Sequence, residues 1–233
     1  LGRHTRLAVL DHVTSPAAAV LPIREMAAVC RASGVPVAVD GAHAPGMLPL
    51  DVPALGVDWY VGNLHKWAFA PKGTGVIWCA PERQRALHPV AISHALGAGF
   101  AAEFDYTGTR DNAAWLAAPA ALDYLQGLGA EAVRAHNRGL ARQAGDMLAA
   151  CWRTEVAAAP DFSAAMAAVR LPGRLPGDRE CAARVALRLH REHRISAGVT
   201  ALAGALWLRL SAQVYNEPED YRRLAEIGPT LAG

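Results

Sequence analysis

Lysine is almost missing from this 233-residue chain: of its 23 basic residues only Lys66 and Lys72 are lysine, and by subtraction the other 21 are arginine. Several other scarcities narrow the field. The formal net charge is only +2 and the arginines are scattered, so no basic stripe follows a phosphate backbone and a nucleic-acid partner is not expected. Apolar runs are broken by proline, glycine or charge short of the roughly 18 residues that a membrane span needs, and no charged and apolar leader opens the chain. These two absences predict a soluble, cytoplasmic protein without a membrane partner. Cysteine is sparse: Cys30, Cys79, Cys151 and Cys181 never form a C-x-x-C pair, which argues against a zinc site or a disulfide framework. The histidines outside residues 43–65 show no metal-ligand spacing, so no metal is expected. Charged residues make up 19% against 52% hydrophobic, the balance of a globular chain with a sizeable core. The first residue is Leu rather than Met, and further sequence upstream is expected.

What is present begins with alternation. The runs 6–13, 35–42, 57–64 and 73–80 read as strands, and 21–34 reads as a helix ended by Gly34. Short apolar strands separated by a helix predict β-α-β construction and a mostly parallel, buried sheet. Polar residues just past such strands stand where ligands bind, and Asp40 and Lys66 both meet that description. Residues 112–152 are rich in Ala and Leu and read as one or two long helices. Beyond them, 166–173 and 204–216 are strand-like, 178–195 is an amphipathic helix, and 217–233 is helix-like, opening with acids. The expected division is 1–150 and a small α+β domain over 151–233.

The lysine scarcity turns attention to "VGNLHKWAFAPKGTGVIW", residues 61–78, which holds both lysines. A lysine amine can lose its proton and condense with an aldehyde, whereas a guanidinium cannot form that Schiff base. An arginine-biased chain therefore keeps lysine where imine chemistry requires it, the alternative being two ordinary surface lysines. Asp40 ends an apolar strand, where a buried carboxylate needs a cation. A protonated pyridine nitrogen is such a cation, and the pairing of an acid with an imine-forming lysine is the arrangement of a pyridoxal-phosphate site. A helix cap or an ion pair to arginine is the other account of Asp40. Asn63, His65 and Thr109 offer hydrogen bonds to a phosphate, and each also reads as an ordinary structural polar residue. Lys72, in "PKGTG", reads as part of a turn into the next strand.

The stretch 39–78, "VDGAHAPGMLPLDVPALGVDWYVGNLHKWAFAPKGTGVIW", closely resembles the core of fold-type I, class V pyridoxal-phosphate enzymes, the family of cysteine desulfurases, kynureninases and isopenicillin N epimerases. The shared pattern is D-x-A-H/Q, then V-D, a small polar residue two before H-K, and P-K-G-x-G. The opening "DHVTSP" with "LPIRE" and the ending "LRLSAQVYNEPED" are most similar to the isopenicillin N epimerase-like branch, and the similarity runs over essentially the whole chain. The resemblance implies a three-layer αβα fold with a mostly parallel sheet, lacking the family's N-terminal part, followed by the small α+β domain. It also implies pyridoxal 5'-phosphate as cofactor, with Lys66 as its imine-forming lysine and Asp40 as partner of the ring nitrogen. His43 would lie near the ring and its phenolic oxygen, Asn63 and His65 would hold the phosphate, and Thr14 or Ser15 would approach the phenolic oxygen. Thr109 matches a threonine that reaches the phosphate of a neighbouring subunit, which implies a homodimer with shared active sites. Arg209 matches the arginine that clamps the substrate carboxylate, a task suited to a guanidinium fork.

The implied chemistry is an imine between cofactor and amino-acid substrate, followed by loss of the α-proton to the Lys66 amine. Return of the proton from the opposite face gives epimerisation or racemisation, expulsion of a substituent gives C–S lysis, and transfer to the cofactor gives transamination. The epimerase reading follows the branch resemblance; lyase and aminotransferase are its alternatives. Residues 195–207 hold no cysteine where a desulfurase needs a nucleophilic one, and Cys181 falls instead at the start of a helix, where a structural thiol is expected. A reading of another class is a truncated, non-catalytic remnant serving as a binding or dimerisation module.

Overall fold

The computed structural model describes residues 1–232, and its contacts divide them into two units: Leu1–His12 with Pro22–Leu125, and Val13–Leu21 with the chain from Gln126 onward. The first unit is built on a four-stranded sheet. Its elements are β1 (Ala8–Asp11), α1 (Ile23–Ala32), β2 (Val37–Gly41), α2 (Val52–Leu55), β3 (Trp59–Asn63), α3 (Leu64–Trp67) and β4 (Gly75–Cys79). After them come α4 (Phe100–Asp105), α5 (Ala113–Leu116) and α6 (Ala118–Gly127). The sheet order is β1-β2-β3-β4; the first three strands are parallel and β4 returns antiparallel to β3.

Helix α1 forms because Ile23, Ala27 and Cys30 recur at helical spacing and bury one stripe. It stops at Gly34: the Gly34 and Val35 amides donate back to the Arg31 and Cys30 carbonyls, closing the last turn. In the sheet, Val37, Val39 and Tyr60 are almost fully buried on one face. The register sets Asp11, Asp40, Val61 and Ile77 in one row on the other face. That face is open among the described residues, with Val9 68% and Val61 45% exposed. The fully buried sheet expected from sequence is therefore covered on one face only, and Asp40 is an exposed carboxylate rather than a buried one.

The second unit holds α7 (Ala130–Trp152), β5 (Met166–Arg170), α8 (Arg179–His193), β6 (Gly198–Leu202), β7 (Ala205–Ser211) and α9 (Pro218–Ile227). Its sheet is antiparallel in the order β5-β7-β6. Leu140, Ala141, Ala144 and Leu148 of α7 share one core with Val169, Leu189 and Leu208. Helix α7, counted with the first domain in a division at residue 150, thus packs in the second unit. Asp178 caps α8 by accepting from the Cys181 amide, and Cys181 itself is buried. Strand β6 lies between the helix expected over 178–195 and the strand expected over 204–216, in a stretch to which the sequence assigns no element. Its five residues, GVTAL, are flanked by Ala and Gly and are too short a run to signal a strand alone; pairing with β7 supplies what local propensity lacks. Among the described residues no helix is long and apolar enough to cross a membrane.

Candidate active site

In the first unit the chemistry gathers where β2 and β3 end. Asp40 lies on β2 next to Val61 of β3, and Lys66 sits on the single turn of α3 that follows β3 directly. Ligands of parallel α/β sheets bind at such strand ends. The Asp40 Oδ1 accepts the Ala42 amide at 2.9 Å, which orients the carboxylate within its own turn. His43 follows on that turn, its Nε2 3.4 Å from the Lys66 Nζ and its Nδ1 accepting from the Trp67 indole N–H at 3.2 Å.

The loop carrying His43 is wedged in place by two glycines. Gly46 has φ +83°, and a Cβ there would stand 2.4 Å from the Trp67 carbonyl oxygen. A Cβ on Gly62 of β3 would press Pro45 at 2.8 Å. The loop therefore rests on both β3 and α3, the two elements that carry Asn63, His65 and Lys66. The His65 Nδ1 donates to the Thr74 carbonyl at 2.8 Å, so Nε2 is its outward nitrogen. Lys72 is exposed in the turn before β4, as its sequence context predicts.

Beneath this edge, His12 and Tyr60 form a buried pair, Nδ1 to hydroxyl 2.8 Å. Burial lowers the His12 pKa from its ordinary value. Burial, and then the charge of Asp40, raise that of Tyr60, so the phenol keeps its proton beside the imidazole. Thr109 lies exposed after α4.

In the second unit, Arg209 of the central strand β7 gives its Nη1–H groups to the Ser15 hydroxyl at 2.5 Å and the Ser15 carbonyl at 3.0 Å. Its Nε is buried without a partner, and burial lowers its pKa. An unfilled guanidinium donor suits a carboxylate. An open cavity beside it is lined by Ser196, Gly198, Ser211 and Asn216 together with Arg194 and Arg223. Gly198 is paired directly with Arg209, and a Cβ there would stand 3.7 Å from Nε and Nη2. The Thr14 hydroxyl is used within its own loop, accepting from the Ala19 amide at 3.0 Å.

The structure thus brings Asp40, His43, Asn63, His65 and Lys66 to one strand edge and joins Ser15 to Arg209. Trp67 is the neighbour that sequence reading missed. An indole directly after the lysine reads as core packing, and only its bond to His43 marks it out.

The sequence model for aminotransferase class V matches residues 1–223. The chain belongs to this family. Among class V relatives, isopenicillin N epimerase of Streptomyces clavuligerus is 37% identical over 251 residues, covering 100% of this chain and 62% of that protein. A probable chloroplastic L-cysteine desulfhydrase of Arabidopsis thaliana is 34% identical over 242 residues, covering 97% of this chain and 50% of that protein. Among solved structures, the cystine C–S lyase C-DES in complex with cysteine persulfide superposes with a TM-score of 0.75 at 26% identity, over 100% of this chain and 62% of that one. The same lyase has been solved with glycine covalently linked to its PLP cofactor. A cysteine desulfurase of Thermococcus onnurineus NA1 has the same fold, with a TM-score of 0.77 at 18% identity. This class V chain spans between about half and six tenths of the length of these relatives. The parallel-rich α/β fold expected from the sequence is the one found.

Proposed function

We propose that the protein is a pyridoxal-phosphate enzyme that removes the α-proton of an amino-acid substrate, and that it acts as an epimerase or racemase. The observation that carries the cofactor assignment is the set of groups at the β2 and β3 ends: one amine, Lys66, beside His43, with the exposed carboxylate of Asp40 on the adjoining strand. This donor set fits the cofactor, offering an amine for its aldehyde and an acid for its ring nitrogen. When bound, pyridoxal phosphate supplies a conjugated ring that accepts the electron pair left at the substrate α-carbon.

The remaining work falls to the chain. The Lys66 Nζ is the base that takes and returns the proton at the α-carbon. Asp40 holds the ring nitrogen in its protonated form, and His43 orients the lysine and faces the phenolic oxygen. Asn63 and His65 bind the phosphate; His65 donates there only as an imidazolium, because its Nδ1–H is already given to Thr74. Arg209 grips the substrate carboxylate, with Ser15 as its tether. Thr14 stands with Ser15 in this assignment as a residue near the cofactor, and Thr109 reaches the phosphate of a partner in a cytoplasmic homodimer.

The epimerase reading is supported by 37% identity across the whole chain to isopenicillin N epimerase. C–S lysis is the second reading, supported by the desulfhydrase relatives and by the lyase structure. Residues 195–207 lack the cysteine that a persulfide-forming desulfurase requires.

The test is an absorption spectrum of the full chain with pyridoxal phosphate, for wild type and Lys66→Ala. A yellow band in the first and none in the second is expected. Spectra identical to free cofactor in both would overturn the assignment. Substrate α-proton exchange in deuterated water without sulfide release from cysteine then selects the epimerase; sulfide release selects the lyase.

A further inference from the structure

Consecutive residues of α3 engage both ring nitrogens of His43. The Trp67 indole N–H approaches Nδ1 at 3.2 Å, and Lys66 Nζ lies 3.4 Å from Nε2. An indole N–H only donates, so Nδ1 must be the nitrogen without a proton, and the neutral ring carries its proton on Nε2. The two rings are tilted at 54° with centroids 6.5 Å apart, so the contact is made through the indole edge and not by stacking.

We infer that Trp67 is a positioning residue that fixes the His43 tautomer so that a donor, Nε2–H, faces Lys66. A donor at that place is complemented by an amine that carries a lone pair, the form that adds to an aldehyde or takes a proton. The opposite tautomer sets two N–H groups against each other at Nδ1 and offers the lysine an acceptor, which an ammonium fills. The choice of tautomer therefore decides whether Lys66 meets a donor or an acceptor at that nitrogen. Burial strengthens the constraint: Trp67 is only 6% exposed, and a buried indole N–H needs an acceptor such as His43. The backbone cooperates, because the Gly46 turn sits directly on the Trp67 carbonyl and holds the imidazole loop against α3.

The inference rests on the reading of Lys66 and His43 as the reactive pair, and its test separates the two. Nitrogen-15 labelling of histidine in the full chain, without cofactor, reports the tautomer by long-range proton–nitrogen correlation, with His43→Gln identifying the resonance. The expected wild-type pattern is a protonated Nε2 and a bare Nδ1. Trp67→Phe keeps the ring and removes the donor; the expected result is loss of the single tautomer and a several-fold slower borohydride trapping of pyridoxal phosphate on Lys66 near neutral pH, recovered at higher pH. A wild-type His43 protonated at Nδ1 overturns the proposal, as does a Trp67→Phe protein with unchanged tautomer and pH profile. Should that variant fail to fold, the wild-type tautomer decides alone. A missing absorption band with the expected tautomer would instead count against the cofactor assignment.

Discussion

Ser15 and Arg209 are 194 positions apart in sequence, yet the hydroxyl of one stands 2.5 Å from the guanidinium of the other. The arginine draws attention in the sequence because its surrounding motif resembles one that carries a substrate clamp. Its tether does not, because a serine acquires this task only from a partner that the fold delivers. Charge-assisted hydrogen bonds are the stronger kind, worth about 1.5–3 kcal/mol each. Here the Ser15 carbonyl remains to hold the same Nη1. With Arg209 in the substrate-holding role proposed above, Ser15→Ala should raise KM for the amino acid about three- to tenfold and change kcat little, since each 1.4 kcal/mol is about tenfold in binding. Steady-state kinetics on the wild type and Ser15→Ala check this, and a fall in kcat at unchanged KM would contradict the tether role. Asp40 gives the reverse lesson. Its place at a strand end was readable, but its exposure was not, because strand periodicity alone does not say whether both faces of a sheet are covered.

Among elements, those with a strong repeat were legible: β1, α1, β2, β3 and α8 lie within the ranges expected from sequence, each shorter by one or a few residues at its ends. What escaped was set by partners. Strand β6 exists because Gly198–Leu202 aligns with Ala205–Arg209, and β4 runs antiparallel because a short turn joins it to the end of α3. The His43 loop is another such case, since its conformation depends on the backbone of Trp67. Gly46→Ala would place a methyl 2.4 Å from that carbonyl in a left-handed conformation that costs a non-glycine residue energy. A loss of about 1–3 kcal/mol in the stability of the first unit is expected. Weaker pyridoxal-phosphate binding should accompany it, because the loop that holds His43 must move. Denaturant titration and the cofactor absorption band measure the two effects together; an unchanged midpoint would count against this account of the loop.

For the whole molecule, acid stability should follow His12. Its folded-state pKa lies below the ordinary 6.5, so above that value the imidazole is neutral in both folded and unfolded chains. As pH falls below about 6.5 the unfolded chain takes up a proton that the folded one resists, and stability is lost down to the lower, folded pKa. The first unit should therefore unfold more easily in mild acid, and His12→Asn should flatten that part of the pH profile; circular dichroism melts from pH 7.5 downwards test it. Within the second unit, Gly198 carries a further consequence. A methyl at that position would meet the Arg209 guanidinium at 3.7 Å, an ordinary contact distance, on a backbone with no left-handed constraint. Gly198→Ala is therefore a single-nucleotide step that narrows the space beside the Arg209 guanidinium without disturbing the strand pairing; if that guanidinium holds the substrate as proposed, this is a position at which the size of the accepted substrate can change while the groups around Lys66 stay as they are.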